Sequence, residues 1–218
     1  MGMESYRTIS GSAEAFYEIQ KSRFITHVLH VTSEEEARAF VQQMKKKYFD
    51  ARHNCSAWVL GERGDQQKSN DDGEPGGTAG NPILENIKKK GLTDVAVVVT
   101  RYFGGIKLGA GGLIRAYGHS AGLGLEAAEI VVMTPLRRIR LTLEYDLLAP
   151  VEHWIRKKDI RTEAPSYAEQ VELTVLMAPG EAEERLTELA DITAGRCQTE
   201  IQGEALIAVP EEKEQEKG

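Results

Sequence analysis

The order of apolar and polar residues predicts several short strands in the first part of the chain. Strand-like stretches lie at residues 6–9, 14–19, 24–31 and 55–60. The uninterrupted apolar run from Val95 to Val99 indicates a further strand at 94–100 that is covered on both faces. We therefore expect a sheet with a buried central strand.

A helix with a capping motif follows the third of these strands. Ser33 can cap it, and Glu36 completes a Ser-x-x-Glu box. Apolar residues then recur at helical spacing and are expected to face the core: Ala37, Phe40, Val41, Met44 and Tyr48.

Two more helices are predicted on either side of the central strand. The earlier one starts with Asn81 as its cap and Pro82 at its first position. It ends in Lys88–Lys90, and we interpret these lysines as complementing the helix dipole rather than as a phosphate-binding patch. The later helix starts at residue 111 or 112 and runs to about 129.

The pattern changes after Met133-Thr134-Pro135, where glycine becomes rare and proline more frequent. The predicted elements of this part are a strand at 139–145, a helix at 148–157, strands at 160–166 and 170–177, a helix at 181–193 and a strand at 199–209. The order βαββαβ is that of a ferredoxin-like domain. We therefore predict domains at 1–133 and 134–210, followed by a charged tail at 211–218.

Composition places the protein among soluble globular chains. It has 218 residues, of which 41% are hydrophobic and 28% charged, and no apolar run approaches the ~20 residues of a membrane helix. The N-terminus lacks the pattern of a signal peptide, and the two cysteines are far apart in sequence. We expect a cytoplasmic protein with no membrane association.

The net charge of −7 is unevenly distributed. Basic and acidic residues are equally frequent before Thr134, with 16 of each, so the whole negative excess lies after it. Binding of nucleic acid through bulk charge is therefore disfavoured, and only a local basic cluster could support it.

Such a cluster is predicted at two glycine-rich motifs, 71–80 and 101–118. Residues 61–124 contain 15 of the 21 glycines. Arg101, Lys107 and Arg115 flank a turn that leads into a helix, where Gly111 and Gly112 expose backbone N–H groups, so an anion-binding site is expected. The aromatic residues that could stack on bases there are Tyr102, Phe103 and Tyr117.

The first motif is an acidic loop containing Asp71, Asp72, Glu74 and Thr78. Its carboxylates could instead pair with Arg101 or Arg115 in an internal network. We leave both interpretations open at this point. A metal site in this loop is disfavoured because the spacing does not match a calcium loop.

Two nucleotide-binding motifs and one catalytic motif lack a required residue or the required structural context. Ile114 replaces the third glycine of a dinucleotide-binding fingerprint, and Ala110 replaces the lysine of a P-loop. Gly118-His119-Ser120-Ala121-Gly122 fits a nucleophile elbow, but a helix rather than a strand is predicted before it. We assign no catalytic residue, metal or cofactor.

The two motifs together resemble those of the IMPACT/YigZ family. The matching segments are Asp-Asp-Gly-Glu-Pro at 71–75, Gly-Thr-Ala-Gly at 77–80, and Arg-Tyr-Phe-Gly-Gly through Arg-Ala-Tyr-Gly at 101–118. The resemblance implies an α+β protein with a first domain similar to domain 2 of ribosomal protein S5 and to domain IV of elongation factor G. It implies a ferredoxin-like second domain, similar to domain V of that factor, and eukaryotic relatives that act in translational control.

The leading hypothesis is a non-catalytic protein that binds RNA, the ribosome or a translation-associated protein through 71–80 and 101–118. One alternative is a hydrolase or peptidase that uses Ser120 or a metal in the same cleft. Another is a protein-interaction adaptor whose contact surface is the acidic second domain.

Overall fold

The computed structural model describes residues 3–211, which form two compact units. One unit contains residues 5–133 together with 208–211, and the other contains residues 3–4 and 134–207. The predicted charged tail at 211–218 lies outside the described residues except for Glu211, whose carboxylate accepts a hydrogen bond from Arg7 Nε at 2.7 Å. No helix among residues 3–211 has both the length and the apolar character needed to cross a membrane.

The first unit is built on a five-stranded antiparallel sheet in the order β2-β3-β6-β4-β5. Its elements are β1 (Tyr6–Ser10), β2 (Ser12–Ile19), β3 (Ser22–His30), α1 (Glu34–Lys47), β4 (His53–Leu60), β5 (Gln66–Asn70), α2 (Gly80–Lys89), β6 (Val95–Tyr102), α3 (Gly109–Ala127) and the start of β7 (Glu129–Leu143). β1 pairs antiparallel with the beginning of β7, from Tyr6 opposite Met133 to Ser10 opposite Glu129.

The central strand β6 is buried on both faces, as the apolar run at 95–99 predicts. Val95, Val97 and Val99 belong to the core that α2 and α3 cover. Ala96 and Val98 belong to the core that α1 covers on the opposite face. Side chains alternate between the two faces of a strand, so each helical layer receives every second residue of β6.

The capping predictions were correct for α1 and wrong for α2. Ser33 Oγ accepts the N–H of Glu36 at 3.2 Å, whereas the Glu36 carboxylate bonds the Thr32 N–H at 2.7 Å. α2 begins at Gly80, one residue before the predicted cap Asn81, and its N-cap residue Ala79 supplies no side-chain hydrogen bond.

The sheet contains one strand that the sequence pattern did not predict. β5 (Gln66–Asn70) is polar along its whole length, and four of its five residues are exposed. It lies at the edge of the sheet and pairs with β4 from Leu60 opposite Gln66 to Ser56 opposite Asn70. An edge strand of this kind has no apolar periodicity to reveal it.

The second unit has its own core and follows the predicted order βαββαβ, except that one predicted strand is divided into two. Its elements after β7 are α4 (Tyr145–Lys157), β8 (Arg161–Thr162), β9 (Ser166–Tyr167), β10 (Val171–Met177), α5 (Ala182–Thr193) and β11 (Gln198–Pro210). β10 and β11 both pair with β7. The strand predicted at 160–166 is instead two short segments, and Tyr145 begins a helix rather than ending a strand. Both units mix helices with antiparallel strands, which confirms the α+β class.

Candidate functional site

The C-terminal end of strand β6 carries an arginine on an apolar face of the sheet. Arg101 follows Val97 and Val99 at a spacing of two, so its side chain points to the layer covered by α2 and α3. Its neighbours across the ladder are Phe24 of β3 and His53 of β4. Only 6% of Arg101 is exposed, and a charge buried to this extent requires a counter-ion.

Glu74 of the acidic loop supplies that counter-ion. Arg101 Nη1 donates to Glu74 Oε1 at 2.7 Å, and the Tyr117 hydroxyl donates to the same oxygen at 2.8 Å. Burial, then the nearby Cys55 thiol and Glu74 carboxylate, raises the pKa of Tyr117 far above its ordinary value, so this hydroxyl stays protonated and remains a donor. Of the two interpretations left open by the sequence, the internal ion pair describes Arg101.

Asp71 caps a helix that begins nine residues later. Its Oδ1 accepts the N–H groups of Ala79 at 3.0 Å and Gly80 at 2.8 Å, and its Oδ2 accepts that of Gly77 at 2.8 Å. Burial acts to raise the pKa of Asp71, but these three N–H groups outweigh it and bring the pKa below the ordinary 3.8. The carboxylate therefore satisfies donors that the N-terminus of α2 would otherwise leave unpaired.

We expect the substitution Asp71→Asn to lower the free energy of unfolding by about 2 kcal/mol at pH 7, since an amide cannot replace a charged acceptor of three N–H bonds. The pKa of Asp71 is lower in the folded protein than in the unfolded chain. The carboxylate therefore makes its full contribution to the free energy of unfolding above pH ~4, and this contribution is lost as the pH falls through the folded pKa. Urea unfolding at pH 7 and pH 3 measures both effects. The exposed Asp65→Asn is the matched control, and equal midpoints for the two variants at pH 7 would contradict the cap.

The rest of the acidic loop is also engaged inside the first unit. Asp72 Oδ2 accepts the Asn54 N–H at 2.7 Å, and Asp72 Oδ1 accepts Lys45 Nζ at 2.5 Å. The Thr78 hydroxyl, which is buried, donates to the Pro75 carbonyl at 2.6 Å. Within residues 3–211 no three His, Cys, Asp or Glu side chains are grouped to hold a metal ion. The side chains of this loop therefore link β4, β6 and α2 by hydrogen bonds.

The two motifs face each other across a cleft of about 360 Å³, which we call the α3 cleft. It is lined by Arg52, His53, Glu74, Pro75, Arg101, Phe103, Lys107, Leu108, Gly109, Ala110 and Leu113. Arg52 and Lys107 are exposed and form no ion pair within residues 3–211. α3 begins at the cleft with no side-chain cap and no acidic residue in its first turn. Two free cations and a helix N-terminus make the rim of the cleft electropositive.

Further charged and aromatic residues lie on the loops and strand ends near the cleft, where β6 ends and β3 and β4 begin. The Tyr102 hydroxyl donates to Asp50 of the α1–β4 loop at 2.7 Å, and the Arg23 guanidinium lies 5.1 Å from the Tyr102 ring centre. Two phenylalanines of these loops are solvent-exposed, Phe49 by 85% and Phe103 by 51%. Arg23 and Tyr102 pair across the sheet and project from the face opposite to that of Arg101, so we refer to Phe49, Arg52, Phe103, Lys107 and Arg115 as the basic-aromatic surface.

The other residues predicted for the binding site divide into surface and core. Arg115 is exposed on α3 and unpaired among the described residues, and its Nη1 lies 3.6 Å from where a Cβ on Gly111 would stand. This places the guanidinium beside the first turn of α3, which also contains Gly112. Tyr117 is fully buried and packs edge-on against Phe24 at 5.2 Å, so it cannot stack on a base at the surface.

Ser120 does not occupy a nucleophile elbow. It lies in the interior of α3, is 1% exposed, and the residues before it are helical rather than a strand. Its backbone carbonyl accepts the Thr26 hydroxyl at 3.0 Å, and Gly124 one turn later lies against Thr26 and Val28. The small residues of 118–124 therefore allow α3 to pack closely on β3.

The motifs did not identify Arg52 of the cleft or Arg23 on the opposite face of the sheet, which lie outside both of them. Arg52 directly precedes β4, and β4 runs antiparallel to β6, so the start of β4 lies beside the end of β6. Arg23 is similarly placed opposite Tyr102 by the β3–β6 register. The signal that could reveal them is strand pairing, which the order of residues alone does not specify.

Comparison with known proteins gives two family matches and close relatives. The model described as the Impact N-terminal domain matches residues 20–125, and a domain of unknown function, DUF1949, matches residues 141–196. The IMPACT family member YvyE of Bacillus subtilis is 43% identical over 194 residues, covering 89% of each chain. The IMPACT family member YigZ of Escherichia coli is 38% identical over 198 residues, covering 90% of this chain and 97% of that protein. A crystal structure described as that of a hypothetical protein superposes with a TM-score of 0.58 at 35% identity, covering 96% of this chain and 100% of the other.

Proposed function

Because this chain belongs to the IMPACT family, we propose that it is a non-catalytic cytoplasmic protein that binds single-stranded RNA, including exposed segments of ribosomal RNA, through its basic-aromatic surface. The resemblance of its motifs to those of a family connected with translational control supports this choice. The ligand would lie across the rim of the α3 cleft, where it meets cations and aromatic rings within one unit of the chain.

The observation that carries the proposal is the set of cations left without carboxylate partners. Arg52, Lys107 and Arg115 are exposed and form no ion pair within residues 3–211. Several other basic residues of this unit are paired, for example Arg38 with Glu34 and Lys45 with Asp72. Lys46 and Lys89 form no ion pair within residues 3–211 either, but they lie in the last turn of α1 and α2 rather than at a helix N-terminus. Unpaired cations at an uncapped helix N-terminus attract phosphates.

The exposed phenylalanines favour a single strand over a duplex. Phe49 and Phe103 are both solvent-exposed, and Phe103 lines the α3 cleft together with Arg52 and Lys107. Bases that are not paired can stack on such rings, whereas the bases of a duplex are already stacked on each other. A basic groove interleaved with aromatic rings is the usual arrangement for binding single strands.

We expect the double substitution Lys107→Ala/Arg115→Ala to weaken binding of a fluorescent decauridine about tenfold, because two phosphate contacts are lost. The slope of log affinity against log salt should become shallower by about 1.4, at about 0.7 per contact on a single strand. Fluorescence anisotropy across a potassium chloride series measures both quantities, and cosedimentation with ribosomes tests the larger target.

The control is Lys46→Ala/Lys89→Ala, which removes two exposed lysines that are unpaired within the described residues but lie on α1 and α2. It changes the net charge equally and should leave affinity within twofold of the unmodified protein. Equal losses in the two double variants, or no RNA binding at any salt concentration, would refute the proposed function. Arg101 is unsuitable for this test because it belongs to the core.

A further inference from the structure

The α3 cleft combines exposed cations, an uncapped helix N-terminus and an exposed aromatic ring. We propose that it binds the 5′-phosphomonoester of a nucleotide, with the phosphate at the N-terminus of α3 and the base against Phe103. The nucleotide could be the 5′ end of an RNA strand or a free nucleoside monophosphate. The proposal deepens the proposed function and rests on it for RNA as the source.

The first element of the site is the uncapped N-terminus of α3. This helix has 19 residues, its N-cap Leu108 offers no side-chain acceptor, and its first turn contains no acid. Gly109 and Ala110 are exposed and line the cleft, so the first turn of α3 forms part of its surface. Such an end carries a partial positive charge and unpaired N–H groups that suit a phosphate.

The second, independent element is an unsatisfied donor of Arg101. Its side chain is 7% exposed and lines the cleft, and its Nε has no hydrogen-bond acceptor within residues 3–211. A buried N–H without an acceptor is unfavourable. Because Arg101 lines the cleft, an oxygen of a bound ligand is a candidate for the missing acceptor.

The balance of charge favours a terminal phosphate over an internal one. Glu74 neutralises Arg101, so the net positive charge at the rim comes from Arg52, Lys107 and the helix end. A phosphomonoester carries a charge of about −1.5 to −2 at pH 7, against −1 for a diester in the RNA backbone. The monoester therefore gains more from this cluster.

The size of the cleft limits the bound part of the ligand to a single nucleotide. Its volume of about 360 Å³ lies at the lower end of small-molecule sites. The lining also includes apolar side chains, those of Phe103, Leu108, Leu113 and Pro75, in addition to the cationic Arg52 and Lys107. A base stacked on Phe103 would leave its phosphate close to α3, and the rest of an RNA strand could continue over the basic-aromatic surface.

The test compares decauridine carrying a 5′-phosphate with decauridine carrying a 5′-hydroxyl, both labelled at the 3′ end. We expect at least about tenfold tighter binding of the phosphorylated strand, from charge-assisted hydrogen bonds to the terminal group. Uridine 5′-monophosphate should compete with the phosphorylated strand, whereas uridine should not. Equal affinity for the two strands overturns the inference and leaves the RNA-binding function intact. Binding of the monophosphate without binding of either strand retains the phosphate site and refutes the RNA-binding function.

We expect the substitution Ala110→Glu to leave the protein folded, because Ala110 is exposed in the first turn of α3. It adds an acid to the first turn of α3, which favours the helix while repelling a phosphate. We expect this variant to lose the preference for the 5′-phosphate with no fall in its melting temperature. Ala110→Gln, with the same shape and no charge, should keep the preference. Persistence of the preference in Ala110→Glu overturns the inference.

Discussion

Replacing Arg101 by methionine will lower the free energy of unfolding by about 3–5 kcal/mol, because it leaves the Glu74 carboxylate buried without its counter-ion. The Glu74 side chain is 4% exposed, and only the Tyr117 hydroxyl would remain to satisfy Oε1. Few single substitutions cost this much, and the loss is a large fraction of the stability of an ordinary domain.

The chain offers a readout confined to the first unit. Trp58 lies in β4 and Trp154 in α4, so a Trp154→Phe background leaves one tryptophan, in the unit that contains Arg101. Urea unfolding followed by Trp58 fluorescence in this background then reports the loss. The control Arg115→Met removes an exposed, unpaired arginine and should change stability by no more than about 0.5 kcal/mol. Equal effects of the two substitutions would contradict the buried pair.

A double variant separates the ion pair from simple loss of volume. Arg101→Met/Glu74→Leu removes both charges together, and replacing both members of a buried pair by apolar residues is often close to neutral. We therefore expect the double variant to recover most of the stability lost in Arg101→Met. If it is instead less stable than either single variant, packing rather than charge governs this position.

Features of the fold that depend on neighbouring residues could be predicted, whereas contacts between residues far apart in the sequence could not. The Ser33 cap of α1 and the buried run at 95–99 depend on residues within a turn or on one strand, and both were confirmed. Asp71 caps α2 from nine residues away, and no local rule links it to Gly80. The prediction that Asn81 caps α2 was wrong because the Asp71 carboxylate accepts the N–H groups at the start of this helix.

The same distinction applies to the candidate site. The two motifs bring together Glu74, Arg101 and Lys107 around one cleft, as the clustering of glycine and charge suggests. The sequence leaves open which of the arginines is buried. Because β6 is apolar on both faces, it lacks the alternation of apolar and polar residues that would show which face Arg101 lies on. Only the pairing of Arg101 with Phe24 and His53 identifies the face on which it lies.

The second large effect is expected at Gly104, where Gly104→Ala will lower the free energy of unfolding by about 3 kcal/mol through overpacking. A Cβ on Gly104 would stand 2.0 Å from the Lys21 carbonyl carbon and 2.4 Å from the Ser22 nitrogen. These are backbone atoms of the β2–β3 turn, in which Gln20 and Lys21 already have φ angles of 47° and 62°. The turn therefore cannot retreat without further strain.

Gly76→Ala is the matched control, because a Cβ on Gly76 meets nothing within 4 Å and its φ angle is not in the left-handed region. It should change stability by no more than about 0.5 kcal/mol, measured by Trp58 fluorescence in the Trp154→Phe background. Gly104 directly follows Phe103, so a displaced loop should also weaken binding of decauridine to the basic-aromatic surface. If Gly104→Ala is as mild as Gly76→Ala, the β6–α3 loop moves freely past the β2–β3 turn. The positions of Phe103 and Lys107 would then not be set by this contact, and a preformed binding surface would lose its structural basis.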